Sequence, residues 1–496
     1  MIAWQARWTI GNASYVHALQ PQVAKPYLRP FNEDAMDGTS DNFGRNAYIA
    51  VCFIAVAVLG FVAGSVATLS EAAPARVVEN AYRAGTALYS KVTQYSDPLQ
   101  FDLWRNARTT DIGVTKYDPA RAQNGLTLYT SGHDQKVRLI DMQGNVVREW
   151  GQPYSQLWDK SAAVKAPQPD SHVYIEKSYL YPNGDVLALY VAVGDTPWGY
   201  GLVKFDRNNN VLWKYLGHVH HDLTVAPDGR IFVLVQEIGQ DDLPQYAHLK
   251  APRIDDYIAV LSPDGNELKK VRIIDSLLKS PYARLLDTVP WYIQKGAGDY
   301  LHTNSIEYLD GTSAQKLPEA REGRLLLSFR EIGTLAIFDP ATDEIVWTMR
   351  GPWLRQHDPD LLANGNILLF DNQGNVGPGG ITRVIEVDPK THKIVWTYAG
   401  TPEEPFESEV RSSQVRLPNG NTLITESDGG RLFEVTRRGE IVWNFVNPVR
   451  GQRGDGQIVI PIVSWAERID PNKLDPAVLA RPARVAHVGD DVHAMN

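Results

Sequence analysis

The sequence predicts an all-β chain, a six-bladed β-propeller preceded by an N-terminal transmembrane helix and a short helical linker. Three observations predict it. Short apolar strands and Gly-containing turns recur as a unit along most of the chain, and tryptophans recur at the ends of those units. A single charge-free segment near the N-terminus is long enough to cross a bilayer.

In chain order, residues 1–45 form a polar tail; PYLRPFNEDAMDGTSDNFG is rich in turn formers and lacks periodicity. Residues 46–69, NAYIAVCFIAVAVLGFVAGSVATL, hold no charged group. A signal peptide is the rival reading, but it begins with a basic region, whereas 45 residues precede this segment. Flanking positive charge balances, Arg29 and Arg45 against Arg76 and Arg83, so the charge count gives no orientation. Residues 70–100 include EAAPARVVENAYRAGTALYSKVTQY, with apolar residues at helical spacing, and are expected to form the linker. The propeller is expected over 101–465 and a C-terminal tail over 466–496.

Half of the repeating unit is an apolar strand, an Asn-Gly or Asp-Gly pair, and a second apolar strand: LYPNGDVLALY, LTVAPDGRIFVLV, LLANGNILLFD and VRLPNGNTLITE, with IEYLDGTS as a degenerate copy. These pairs supply the positive φ angles of tight hairpin turns. The other half is a polar turn and a strand ending in Trp: IDMQGNVVREW, FDRNNNVLWKY, FDPATDEIVWTM, VDPKTHKIVWTY and VTRRGEIVWNF, with LSPDGNELKKVRI as a Trp-less copy. Four strands repeated six times make a propeller, in which each blade buries its apolar faces on its neighbours. Blades are expected near 125–150, 176–215, 221–273, 302–349, 357–398 and 412–445, and QIVIPIVSW near 457 is a candidate ring-closing strand. A unit hidden near 100–120 would make seven.

The first strand of each blade runs beside the central channel, so residues at a fixed offset before each turn converge. Seven residues before the turn Asn or Asp stand Glu176, His221, His357 and Ser412, and eight before Asp310 stands His302. One histidine at a strand start is ordinarily a hydrogen-bonded structural residue. Three at matched offsets read as groups aimed at a common point. In HVHHD, His220 and His221 are neighbours on a strand and are expected to face opposite ways, which argues against a shared metal.

Composition narrows the function. The 496 residues, 43% hydrophobic and 22% charged, suit a substantial core, and a net charge of -9 argues against a nucleic-acid surface. Cys52 is the only cysteine, so no intramolecular disulfide forms. There is no Gly-Lys dipeptide for a phosphate loop, no HExxH and no GxSxG, so neither cofactor nor metal is expected.

HHD at 220–222, LHTNS at 301–305, LLLSFR ending at Arg330, and QHDPDLLANGNILLFDN resemble the motifs of bacterial arylsulfate sulfotransferases. The resemblance covers roughly residues 120–450. It implies a six-bladed propeller that moves a sulfuryl group from an aryl sulfate to a hydroxyl acceptor, without a nucleotide donor. It implies His357 as the nucleophile that becomes N-sulfohistidine, and Arg330 as the cation facing the sulfuryl oxygens. His302 for oxyanion binding and His221 for acid/base work are exchangeable under this reading. His220, Glu176, Asn304 and Ser412 are expected to contact substrate. The chain departs from the periplasmic members, which carry a cleavable signal, an N-terminal β-domain and a cysteine pair. An inserted DGTSAQKLPEAREG also lengthens the sequence between His302 and Arg330.

The expected partners are therefore a small aryl sulfate, a hydroxyl acceptor and a membrane crossed once, with the propeller outside the cytoplasm, and no nucleic acid. Two other readings stay open. One is a non-catalytic propeller serving as a scaffold in an envelope complex. The other is a quinone-dependent dehydrogenase, suggested by the D-P-x-T-x-x-I-V-W repeats.

Overall fold

The computed structural model describes residues 39–69, 99, 102–290 and 298–480. The chain divides into two units, Met1–Thr86 and Ala87–Asn496.

The first unit contains a helix, Thr39–Leu69. Its stretch Ala47–Val66 has a mean hydropathy of 2.6 and buries nothing, and Tyr48, Phe53 and Phe61 are each more than 70% exposed, at 71%, 72% and 75%. A helix apolar on every side, with about 30 Å of such length, is long and apolar enough to cross a membrane. The helix starts upstream of the apolar run, inside the stretch read as tail. No proline lies between Pro30 and Pro74 to stop it. Apart from Leu99, the linker expected over 70–100 lies outside the described residues.

The second unit is mostly β-strand, built of four-stranded antiparallel meanders. Sheet 1 pairs the late strand Val463–Ile469 with Leu126–Ser131, Val137–Ile140 and Val146–Trp150. Sheet 2 holds Val173–Leu180, Val186–Ala192, Gly199–Phe205 and Val211–Tyr215. Sheet 3 holds Val219–Val225, Ile231–Gly239, Arg253–Leu261 and Glu267–Arg272. Sheet 4 holds Thr303–Tyr308, Leu325–Phe329, Thr334–Asp339 and Glu344–Arg350. Sheet 5 holds His357–Leu361, Ile367–Asp371, Arg383–Asp388 and Lys393–Tyr398. Sheet 6 holds Ser413–Arg416, Thr422–Glu426, Arg431–Val435 and Ile441–Val446, with Gly113–Tyr117 added at its edge.

The repeats explain these elements. The turn glycines Gly184, Gly229, Gly365 and Gly420 all have φ between 75° and 87°, as their hairpins require. Three of the strand-ending tryptophans join one sheet to the next. Trp213 Nε1 donates to the Pro263 carbonyl at 3.0 Å, Trp396 Nε1 to Arg437 at 2.9 Å, and Trp443 Nε1 to Met142 at 2.9 Å. The last of these links sheet 6 to sheet 1. The first strand of each sheet also touches that of the next, and Ser413–Arg416 touches Val463–Ile469.

Two boundary expectations change. The region near 100–120 does not form a further four-stranded sheet: Trp104–Asn106 pairs with Ile458–Pro461, and Gly113–Tyr117 pairs with Ile441–Val446. The described part of the tail expected from 466, residues 466–480, is packed onto the second unit. Its first residues complete Val463–Ile469, with Ile469 opposite Leu126, and Leu474 and Val478 are buried against sheets 1 and 2. A strand whose partner is over 300 residues away carries no hairpin signal to mark it as one.

Candidate active site

The site is built at the ends of the first strands opposite their Gly turns. Five of the first strands are bulged there, with register shifts between Ile175 and Lys177, His220 and Leu223, Thr303 and Ser305, His357 and Asp360, and Val463 and Trp465. Non-glycine residues take left-handed backbone at the same end: His221 (φ 54°), His302 (φ 50°), Asp358 (φ 49°), Arg411 (φ 59°) and Ser412 (φ 77°). Such conformations cost about 1–3 kcal/mol each and concentrate at functional sites.

The bulge overturns one expectation. His220 and His221 do not point apart; their Nδ1 atoms approach to 2.7 Å. The left-handed turn at His221 breaks the alternation of the strand at that point.

A cavity of about 40 Å³ is lined by Glu176, His221, Asn304, His357, Arg411 and Ser464, among others. Ser412 lines it as well. That volume admits a few water-sized groups. Asn304 Oδ1, Ser464 Oγ and Arg411 Nη1 are buried without partners.

His302 and His221 lie with ring centroids 4.8 Å apart. Trp198 stacks on His302 at 5.4 Å and meets His220 and His221 edge-on. Arg330 directly follows the second strand of sheet 4, and its backbone N–H donates to the His302 carbonyl at 3.2 Å. Its Nη1 donates to His302 Nε2 at 2.7 Å, and its Nη2 pairs with Glu331 at 2.6 Å. His302 Nδ1 bonds the Asp299 carboxylate. Arg330 can only donate, so Nε2 of His302 is the acceptor and Nδ1 carries the proton. The inserted 310–323 joins the far ends of these two strands and packs beside Gly365, so it does not separate His302 from Arg330.

The tautomer of His357 follows from its partner. Asn372 Nδ2 donates to the carbonyls of Ser408 and Arg411, both at 2.9 Å, which turns its Oδ1 toward His357 Nδ1 at 2.7 Å. His357 therefore holds its proton on Nδ1 and presents an unprotonated Nε2.

Burial sets the charges. The His357 imidazole is pulled down to about 3, by burial first and then by the positive charge of Arg330. His220, His221 and His302 are held well below the usual histidine range, with burial again the largest cause. All four imidazoles are neutral at neutral pH. Glu176, whose Oε2 accepts the His221 backbone N–H at 2.8 Å, is pushed up by burial.

The eight residues expected at a site all lie at this end of the strands. All eight line the cavity or contact the group of imidazoles, and Asn304 additionally donates to the Gln356 carbonyl at 2.8 Å. Reading offsets from the turns missed Trp198, Asp299, Asn372, Arg411 and Ser464. Asn372 stands at the end of the most telling motif, and Arg411 directly precedes an offset residue. Trp198 and Asp299 lie outside the repeat, and Ser464 belongs to the closing strand, which no Gly turn follows.

These features describe a β-sheet protein with a polar, histidine-lined pocket where several sheets meet. A family model described as "Arylsulfotransferase (ASST)" matches residues 178–448, more than half of the chain, and the chain belongs to that family. No curated protein matches it. Among solved structures, a protein of unknown function from Bacteroides caccae is 14% identical, covering 68% of this chain and 99% of that one, with a TM-score of 0.42. A virginiamycin B lyase from Staphylococcus aureus is 10% identical over 72% and 96%, with a TM-score of 0.36. Likenesses this distant carry no functional argument.

Proposed function

We propose that this chain is a membrane-anchored sulfotransferase that moves a sulfuryl group from an aryl sulfate to a hydroxyl acceptor through N-sulfohistidine at His357. The observation that carries the proposal is the convergence of His221, His302, Arg330 and His357, from sheets 3, 4 and 5, with the lone pair of His357 Nε2 free. In this reading the six sheets are the blades of one closed propeller. The strand pairing of sheet 1 and the Trp443–Met142 bond support that closure. The family resemblance supports an extracytoplasmic catalytic unit.

Nε2 of His357 attacks sulfur, the bond from sulfur to the aryl oxygen breaks, and the phenoxide leaves with the electron pair. His221 protonates it. The acceptor hydroxyl then gives its proton to His221 and attacks the same sulfur, and the N–S bond breaks. Arg330 faces the charge that shifts among the sulfuryl oxygens, and Arg411, which lines the cavity, supplies a second cation. His302 has no N–H left for substrate, so its part here is to hold Arg330 in place rather than to bind the oxyanion.

The test is turnover of p-nitrophenyl sulfate by the detergent-solubilised chain, with intact-mass analysis after donor alone. The expected result is nitrophenol release and a sulfuryl adduct on His357. Silence toward a panel of aryl sulfates, with no adduct, would overturn the proposal.

A further inference from the structure

Behind His221, away from the cavity, stands a line of two further groups. His220 is fully buried, and its Nδ1 lies 2.7 Å from Nδ1 of His221. Two facing Nδ1 atoms at that distance share one proton: one donates and the other accepts. The pair therefore has two neutral arrangements. In one, His220 donates and His221 carries its second-site proton on Nε2, toward the cavity. In the other, His221 donates and its Nε2 is bare. The first is an acid and the second is a base.

The other ring nitrogen of His220 faces Asp256. His220 Nε2 and Asp256 Oδ1 are 3.6 Å apart and both are buried with no closer hydrogen bond, while the Val235 backbone also interacts with the His220 ring. The second oxygen of Asp256 accepts the Thr303 N–H at 2.7 Å, which leaves Oδ1 as the atom free to hold a proton. Burial, together with the neighbouring Asp299 charge, pushes Asp256 up to about 8, so it is protonated at neutral pH. Other charged and titratable groups surround the line. Asp255 and Asp299 face Asp256, while His218 and His302 face His220. His302, His357 and Arg330 face His221, whose backbone N–H is held by Glu176.

We propose that Asp256, His220 and His221 form a proton relay, in which His221 alone touches substrate while Asp256 stores the proton between the two half-reactions. This rests on the sulfotransferase reading. In the first half-reaction the phenoxide takes the Nε2 proton of His221. The Nδ1 proton of His220 moves to Nδ1 of His221, and the Asp256 proton moves to Nε2 of His220. Asp256 ends as a carboxylate and both imidazoles stay neutral. In the second half-reaction the acceptor hydroxyl gives its proton to His221 Nε2, and the same three transfers run in reverse. The relay explains how a buried imidazole that resists positive charge still serves as an acid. It never has to become an imidazolium.

The test compares two donors on the full chain in detergent: p-nitrophenyl sulfate, whose leaving group needs no proton, and phenyl sulfate, whose leaving group does. Asp256→Asn keeps the acceptor for Thr303 and removes the stored proton; His220→Gln breaks the line in the middle. Each variant is expected to slow phenyl sulfate by roughly 10²-fold or more while slowing p-nitrophenyl sulfate by about tenfold or less. Equal slowing of both donors by Asp256→Asn, the milder substitution, or no slowing of either, would overturn the relay. A wild-type chain inactive toward both donors, with no His357 adduct, would overturn the underlying reading instead, and the relay with it.

Discussion

The two ends of the same inner strands make different demands on the backbone. At the turn end, Gly184, Gly229, Gly365 and Gly420 supply positive φ where glycine adopts it without strain. At the cavity end, His221, His302, Asp358, Arg411 and Ser412 are forced into the same region with side chains attached. The turn end spends its sequence on folding. The cavity end gives up some stability to bring imidazoles, guanidinium groups and unpartnered polar atoms to one place. Substitutions at the two ends should therefore separate activity from stability.

The largest effect is expected from His357→Gln. Removing the nucleophile should lower donor turnover by at least about 10³-fold and abolish the sulfuryl adduct, with thermal unfolding little changed. Steady-state rates and intact mass check both. Arg330→Gln comes next, at roughly 10²–10³-fold in kcat, because it removes a preorganised cation from the oxygens of the transferring group. Asp299→Asn should cost less, about tenfold, since it touches no substrate: it loosens the tautomer of His302 that holds Arg330 and removes a charge beside Asp256. A variant series with no ranking among the three would dissolve the distinction between groups that touch sulfuryl and groups that position them.

A pH series sharpens the comparison without removing the strained backbone. The buried imidazoles sit below the value of an unfolded histidine, about 6.5. The unfolded chain therefore binds more protons in acid, and their stabilisation is full above about 6.5 and is lost as pH falls from there toward about 3, the His357 value. The buried carboxylates act oppositely. Below the imidazoles, Lys177 pairs with Asp222 and lies 3.7 Å from Asp358, while burial pushes Glu307 up to about 8. Unfolded glutamate titrates near about 4.3, so the folded state holds the Glu307 proton more tightly, and that contribution is lost as pH rises through about 8. Urea midpoints across pH should fall on both sides. His357→Gln should flatten the acid limb and Glu307→Gln the alkaline one.

The two ends also differ in how much the sequence reveals. Asn-Gly and Asp-Gly between apolar runs fix turn type, register and strand direction locally, so the turn ends and the strands beside them were legible. Offsets from those turns then led to His221, His302, His357, Glu176 and Ser412. The bulges were not legible, because the residue that opposes a bulge sits on another strand; that is why His220 and His221 were expected to face apart. The closing strand Val463–Ile469 was only partly visible, since its partner Leu126–Ser131 lies at the other end of the unit. Asp299 and Trp198 lie on irregular segments, and no periodicity reaches them. Local chemistry is readable where local sequence determines geometry, and becomes unreadable where a distant strand does.

Gly420→Ala is the smallest expected effect and the cleanest separation of the two ends. Gly420 has φ 86°, and a Cβ placed there meets nothing within 4 Å. The substitution thus introduces left-handed strain without a clash, about 1–2 kcal/mol, plus a small change in the freedom of the unfolded chain. The strand that leads into this turn, Ser413–Arg416, carries Ser413 at its other end, next to Arg411 and Ser412 in the cavity wall. If the ends are energetically separate, the urea midpoint drops while the kcat and KM of the donor stay at wild-type values. If strain at the turn passes along Ser413–Arg416 to the cavity, KM for the donor rises together with the loss of stability. The inner strand then acts as one rigid lever, and the division between a folding end and a chemical end fails.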